Sequence, residues 1–478
     1  MLNLEYSYLS LPGKFYQLVK PASFSQPQTV LLNEALLEEL TIPLTHHQDL
    51  VSFLLGNESD GKTSSFAQAY AGHQFGNFTN LGDGRAIVMG EHITSFNQRF
   101  DIQLKGSGRT LYSRGGDGKA TLKAMLREYL ISEAMHHLNI PTSRSLLVAK
   151  TGELVHRETE QDGAVLARVM KSHIRIGTFE YASHLGTTED LRALNDYTIH
   201  RLYPEMEYEA SPALSLLKKV MSVQIDLVVN WMRVGFIHGV MNTDNTSISG
   251  ETFDYGPCAF MNAYHPDTVY SSIDRTGRYA FGNQPNIIKW NIARLAEALL
   301  PVIHPEPSTA LQLAQACIDQ FDHIWVEKYY TMMLLKLGIE RKAPELHSLV
   351  DELLALMLQL KLDYTNTFLA LTHDQVTGEG IMVNPECKPW LDKWKNILHD
   401  SNGVEQAKNR MKENNPAFVP RNHLVEEALD SAVNGNLDLF KQLLVVLSKP
   451  YQYQENLSHF ILPPPPLFEH EYATYCGT

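Results

Sequence analysis

The stretch His238–Gly256, HGVMNTDNTSISGETFDYG, constrains this chain more than any other: two loop-type oxygen donors, Asn245 and Asp254, flank a short hairpin-like segment. Donors of this kind suit Mg2+, which binds one or two protein oxygens beside substrate phosphates. Loop Asp and Asn residues commonly make turns instead, so the pair takes its meaning from the rest of the chain. Upstream stand Lys105, closing an alternating apolar segment, and Glu128, inside a segment of helical periodicity.

Strand lysine, helix glutamate, His-loop-Asn and Asp-x-Gly follow one another here in the order of a protein kinase. In the kinase pattern H-R-D-L-x-x-x-N the Asp is the base and the Asn a metal ligand, and D-F-G follows. Asn245 keeps the metal position, Val240 replaces the base, and Asp254-Tyr255-Gly256 stands for D-F-G. A carboxylate occurs instead at Asp244, where it could be a third metal ligand, a base or a loop cap. Strand alternation puts Phe100, Ile102 and Leu104 on one face and Asp101, Gln103 and Lys105 on the other. The helix predicted over Thr121–Leu138 has an apolar stripe of Leu122, Met125, Leu126, Tyr129, Leu130 and Leu138, with Glu128 off it. Periodicity alone therefore leaves a solvated lysine and a surface glutamate as the plain alternative.

Two glycine clusters could approach phosphate. Gly82-Asp-Gly-Arg85 sits at a turn before a strand, and Gly115-Gly-Asp117-Gly118 is expected to open directly onto the helix at Thr121. Each is also what an ordinary turn looks like. Arg168 and Arg175 offer planar, permanently charged donors suited to phosphate, or simply exposed charge. A competing motif, Gly56-Asn-Glu-Ser-Asp-Gly-Lys62-Thr63, satisfies the P-loop expression after a strand-like Leu50–Leu55. Its context is poor: Gly72 cuts off the helix that should come next, and no strand ending in a second-motif aspartate is evident.

With 478 residues the chain can bury a large core without disulfides, and its 44% hydrophobic content is that of a globular protein. Forty basic against fifty-four acidic residues, net −14, argue against a nucleic-acid partner. Four dispersed cysteines, Cys258, Cys317, Cys387 and Cys476, lack zinc spacing and fit a reducing compartment. The N-terminus resembles neither a signal nor a transit peptide, and no apolar run would span a bilayer, so a cytoplasmic chain without membrane partners is expected. The expected organisation is an N-terminal extension over 1–64, a small nucleotide-binding lobe over 65–170, a large lobe with catalytic loop and metal turn over 171–284, and a helical C-terminal region over 285–478. Helical periodicity there covers Ile287–Leu300, Ala310–Leu337, Ala343–Leu360 and Val425–Leu447, and Pro463–Pro466 is expected to extend as polyproline II.

Gln68-Ala-Tyr-Ala-Gly-His-Gln-Phe-Gly76, Leu81-Gly-Asp-Gly-Arg85, Leu104-Lys-Gly-Ser-Gly-Arg109, Tyr112-Ser-Arg-Gly-Gly-Asp-Gly118 and His238–Asn245 together closely resemble the selenoprotein O family, also called the YdiU family, over nearly the whole chain. The resemblance implies an α+β, protein-kinase-like two-lobed fold of pseudokinase type. It implies protein adenylylation, the transfer of AMP from ATP to Ser, Thr or Tyr hydroxyls of protein substrates, with uridylyl transfer a possible companion activity. ATP would lie flipped, presenting its α-phosphate. Lys105, Arg168 and Arg175 would grip the phosphates and Glu128 would orient Lys105. Gly82, Gly84, Arg85, Asp117 and Gly118 would complete the nucleotide site; Asn245 and Asp254 would hold Mg2+ or Mn2+; Asp244 would accept the proton. Cys476 matches the family's C-terminal selenocysteine or cysteine. The place of its redox partner in bacterial relatives holds Tyr270, and Cys258 lies nearer the Asp-Tyr-Gly turn. A kinase-like phosphotransferase or a silent nucleotide-binding scaffold are the alternatives.

Overall fold

The computed structural model describes residues 2–24, 26–56, 64–340, 344–374, 380–400 and 403–474. Its strands are β1 (Leu4–Glu5), β2 (Tyr16–Leu18), β3 (Gln28–Leu32), β4 (Phe66–Gln68), β5 (Ala71–Gln74), β6 (Asn77–Asn80), β7 (Ala86–Ile93), β8 (Arg99–Lys105), β9 (Ala120–Thr121), β10 (Arg144–His156), β11 (Glu160–Met170), β12 (Phe236–Ile237) and β13 (Ala259–Phe260). An antiparallel sheet runs β2-β4-β7-β8-β11-β10-β3, with β1 on β7 and β9 on β11. The first 64 residues, expected as an extension packed on the small lobe, thus supply three strands of this sheet. They also supply the helices α1 (Glu34–Glu39) and α2 (His47–Leu54), whose Leu36, Leu37, Leu50 and Leu54 share a core with Ile102, Leu104, Val165 and Ala167 of the sheet. Strand alternation then sends Gln103, Lys105 and Arg168 to the opposite face.

On that face lies α3 (Leu122–His137), capped by Thr121, whose side chain accepts from the Ala124 N–H at 3.4 Å. The expected one-sided stripe is too narrow: Glu128, Ile131, Ser132, Glu133, Ala134 and Met135 are buried as well. Two coverings account for this: α14 (Asn422–Val433) and α15 (Asp438–Leu447) also pack against α3, and Glu128 faces the charged residues Lys105 and Arg168 of the sheet. Burying Glu128 there would cost several kcal/mol if it had no partner, on the order of the charge-burial penalty.

The large lobe is helical: α4 (Ile176–Leu185), α5 (Thr188–Leu202), α6 (Pro212–Arg233) and α7 (Gln284–Ile303), with β12 and β13 pairing across the loop segment 238–258. Beyond it come α8 (Pro307–Ile318), α9 (Phe321–Lys336), α10 (His347–Gln359), α11 (Tyr364–His373), α12 (Lys388–Asp400), α13 (Val404–Asn414), α14, α15 and α16 (Pro466–Glu471). Two expected helical runs divide. Ala310–Leu337 breaks at Asp319–Gln320, and Val425–Leu447 breaks at Asn434–Leu437, where Gly435 takes φ +92°. Pro463–Pro466 is extended only to Pro465 (φ −55°, ψ 145°); Pro466 begins α16, where its missing N–H costs nothing. Among the described residues no helix is long and apolar enough to cross a membrane.

The segment read as strand-like before the P-loop expression is helix α2, and β4 comes after it, the reverse of strand–loop–helix. Lys62 and Thr63 lie outside the described residues, as does Cys476.

Candidate active site

The antiparallel register of β8 and β11 sets Arg168 opposite Gln103, two residues from Lys105 on the same face. Arg168 Nε donates to Gln103 Oε1 at 2.7 Å, which ties the guanidinium to the neighbouring strand. Lys105 Nζ donates to Glu128 Oε2 at 2.6 Å and to Asp254 Oδ1 at 2.8 Å. Arg168 Nη1 reaches the same two carboxylates, at 3.1 and 2.7 Å. Strand lysine, helix glutamate and loop aspartate therefore meet in one buried network, and the plain reading of Lys105 and Glu128 as surface charges is excluded. Burial acts to raise the Asp254 carboxyl, but Arg168, Lys105 and Arg175 outweigh it and hold it well below the usual range. Asp254 itself sits at φ +60°, a left-handed conformation that Asp tolerates better than most residues.

Arg175 closes the network toward the catalytic loop. Its Nη1 donates to the main-chain carbonyl of Asp244 at 2.9 Å and stands 3.8 Å from Asp254 Oδ2. The guanidinium lies over the rings of Tyr70, at 4.2 Å, and Phe253, at 4.8 Å. Nη2 is buried without a hydrogen-bond partner among the described residues.

Asp244 lies on the short turn Thr243–Asn245, 7% exposed, and its Oδ1 is likewise buried without a partner. Burial pushes its carboxyl up to about 6, against the opposing pull of Arg175. The β5–β6 hairpin frames it: Gln74 Nε2 approaches Oδ2 at 3.5 Å, and a Cβ added to Gly72 would stand 2.5 Å from Oδ1. The hairpin turns at Phe75-Gly76, both at positive φ, a strained state for a bulky residue. Asn242 holds it there, accepting from the Phe75 N–H at 3.1 Å and from the Tyr279 hydroxyl. The His73 N–H donates to Thr243 Oγ1 at 2.7 Å, and both His73 and Thr243 bond Glu180. His238 stacks near Trp231 and binds the Phe253 carbonyl through Nε2 at 3.1 Å, linking the start of the loop to the residue before Asp254.

The donor set fits a hard cation. Asn245 donates its amide N–H to the Val240 carbonyl at 3.1 Å, which leaves its Oδ1 as an acceptor, and the Asp254 carboxylate supplies the second hard oxygen donor. Among the described residues no group of three or more His, Cys, Asp or Glu could hold a metal ion.

The remaining expected residues lie elsewhere in the lobe. Gly82 and Gly84 pack against Tyr112, where an added Cβ would stand 2.4 Å from its ring and 2.9 Å from its carbonyl oxygen, so the 106–118 loop covers the 82–84 turn. Arg85 precedes β7 and its carbonyl accepts from the Gly106 N–H at 2.8 Å. Gly118 has φ +71° with Gly108 O 2.2 Å from a built Cβ, a position that admits only glycine. Asp117 is paired by both guanidinium nitrogens of Arg157, at 2.8 and 3.1 Å, which holds its carboxyl down to about 2. The 115–118 cluster does not open onto α3: β9 intervenes, pairing Ala120 and Thr121 with β11.

The family model for protein adenylyltransferase SelO matches residues 1–448. The chain belongs to the SelO family. Proteins named protein nucleotidyltransferase YdiU from Clostridium botulinum (strain Hall) and Alkaliphilus metalliredigens are each 49% identical to it, across 100% of this chain and 98% of theirs. The protein of that name from Bacillus cereus is 48% identical over the same shares. A solved structure, ROP2 from Toxoplasma gondii, described as having a protein-kinase fold and no enzymatic activity, covers 67% of this chain and 92% of its own at 11% identity. Its TM-score of 0.25 is too low to bear on the fold. SelO membership makes the chain an enzyme of the nucleotidyltransferase class with a nucleotide substrate.

Three further residues of this candidate site are not singled out by the sequence. Asp83 accepts from the Gln68 N–H at 3.1 Å and Gln103 Nε2 at 3.2 Å, and faces Arg175 Nη2 at 3.8 Å. Its position between Gly82 and Gly84 was the available signal. Gln103 was placed on the face of Lys105 without a role. Gly72, which the sequence shows as the end of a helical run and as part of the Gln68–Gly76 block, is the close approach that seats Asp244.

Proposed function

We propose that this chain is a protein adenylyltransferase: it transfers AMP from ATP to Ser, Thr or Tyr hydroxyls of proteins and releases pyrophosphate. The observation that carries the reading is Asp244, a buried loop carboxylate with one oxygen free of any hydrogen bond among the described residues and with Arg175, which also stands beside Asp254, bonded to its main chain, while Val240 occupies the ordinary kinase base position. A carboxyl raised to about 6 is ionised at neutral pH yet a better base than an exposed aspartate. In the step, the acceptor oxygen bonds to Pα, the bond from Pα to the oxygen bridging to Pβ breaks, and the hydroxyl proton passes to Asp244. Lys105, Arg168 and Arg175 stabilise negative charge on the phosphate oxygens and the departing pyrophosphate, and Glu128 and Gln103 keep the first two in place. Asn245 and Asp254 would hold Mg2+ or Mn2+, which when bound neutralises phosphate charge. The choice of Pα over Pγ rests on family likeness.

Mass spectrometry of acceptor proteins, including the chain itself, incubated with ATP and Mg2+ or Mn2+ tests the proposal. An adenylyl adduct on a Ser, Thr or Tyr, absent with Asp244→Ala, is the expected result; phosphate adducts alone would replace it with the kinase reading. Equal adduct from UTP would broaden the nucleotide class.

A further inference from the structure

The helix that carries Glu128 is gripped from two sides. On the cleft side Glu128 accepts from Lys105, which also binds Asp254. On the other, the neighbouring Arg127 donates through Nη2 to the main-chain carbonyl of Cys258 at 2.7 Å and to the Tyr472 hydroxyl oxygen at 3.2 Å. Its Nη1 donates to Glu426 Oε1 at 2.7 Å, and the Tyr472 hydroxyl donates to the same oxygen at 3.3 Å. Cys258 lies four residues past Asp254. Adjacent residues of α3 thus reach the same stretch of chain, Glu128 by way of Lys105 to the Asp254 carboxylate and Arg127 directly to the Cys258 backbone.

The C-terminal segment that brings Tyr472 is itself anchored to that stretch. Glu469 accepts from Asn262 Nδ2 at 2.5 Å and from the Tyr270 hydroxyl at 3.1 Å. Thr474 donates through Oγ1 to the Pro257 carbonyl at 2.7 Å and through its N–H to the Tyr270 carbonyl at 2.7 Å. Tyr472 packs on Phe468 and against the edge of Tyr270, with ring centroids 4.9 and 5.6 Å away.

We propose that Arg127 and Tyr472 are positioning residues: residues 466–474 strap α3 to the chain beyond Asp254 and so hold Glu128 where it can orient Lys105. The proposal rests on the reading of the Lys105 cluster as a phosphate grip. In kinase-like sites the strand lysine works only while its helix glutamate is in place, and a misplacement of about 1 Å can cost on the order of a hundredfold in rate. A strap that merely adds stability would leave catalysis in the folded protein untouched.

A double-mutant cycle on the full chain separates the two. Tyr472→Phe keeps the ring packing and removes the hydroxyl, so folding is not at stake; Arg127→Lys is measured beside it. Tyr472→Phe should lower kcat/KM for ATP by roughly tenfold, the size of one lost hydrogen bond to a charged group, with the melting temperature little changed. In a Glu128→Gln background it should cause no further loss, because the group it positions is gone. Amide exchange over residues 122–137 should quicken in Tyr472→Phe. Additive losses, or unchanged exchange in α3, overturn the proposal. Should the chain transfer no nucleotide to any protein, the adenylyltransferase reading fails; the same cycle read as Mg–ATP affinity by calorimetry still decides the strap.

Discussion

Arg175 donates one guanidinium nitrogen to the backbone of Asp244, and its other terminal nitrogen, 3.8 Å from Asp83, and the Asp244 carboxylate oxygen Oδ1 are both buried without a hydrogen-bond partner among the described residues. A folded chain seldom leaves a buried donor and a buried acceptor unmet, since each costs about 1–3 kcal/mol. The pair marks where a ligand with both anionic oxygens and a proton to give would complete the structure.

Asp244 should therefore show itself in both rate and stability. Transfer should rise with pH to a plateau above about 6, the value to which burial lifts this carboxyl. Because the folded-state value lies above the unfolded one, the folded chain binds more protons between roughly pH 4 and 6, and stability falls as pH rises through that window. Asp244→Asn should abolish transfer while raising the stability of the nucleotide-free protein above pH 6, by about 3 kcal/mol at most for a rise from 3.8 to about 6. It should change nothing below pH 4. Denaturant unfolding at pH 4 and pH 8 checks the sign.

Asp254→Asn should act oppositely. Lys105 and Arg168, both buried, lose a half-buried carboxylate that each contacts within 2.8 Å. Removing one partner from such a network typically costs about 3–5 kcal/mol. The loss should be present at neutral pH and fade as acid protonates the wild-type carboxylate well below its usual range. ATP should restore part of the melting temperature, because its phosphates give the stranded cations a new partner.

Gly72→Ala tests the seat of Asp244. A methyl group there would stand 2.5 Å from Oδ1 and 2.9 Å from the Asp244 Cβ, so the carboxylate must move. A drop of roughly 10- to 100-fold in kcat with little change in KM for ATP is expected. Equal activity would mean that Asp244 has no fixed role.

Lys62→Ala should leave ATP affinity unchanged in calorimetry. The P-loop expression is preceded by helix α2 and followed by strand β4, so the geometry that lets a P-loop lysine reach phosphate is missing.

The sequence made the ordered set Lys105, Glu128, Asn245 and Asp254 legible because each sits at a fixed place in a strand, helix or loop pattern. Glu128 was ambiguous on its helix for a physical reason: the helix's apolar stripe does not include it, and what buries it is the ion-paired cluster of Lys105 and Arg168, on strands distant in sequence from α3. The N-terminal strands β1 to β3 span two to five residues each, too short for any period to register. Asp83 and Gly72 act through contacts with Gln103, Arg175 and Asp244, which no local pattern encodes. The docking of Tyr472 and Thr474 is likewise tertiary, and a proline run beside them concealed it.

Parallel incubations with ATP labelled on the α- or the γ-phosphate, using wild type and Asp244→Ala, go most directly to the reaction. Label should remain on protein from the α position only, and should vanish in the variant. Label retained from the γ position alone, or undiminished α-labelling by Asp244→Ala, would contradict AMP transfer through this base.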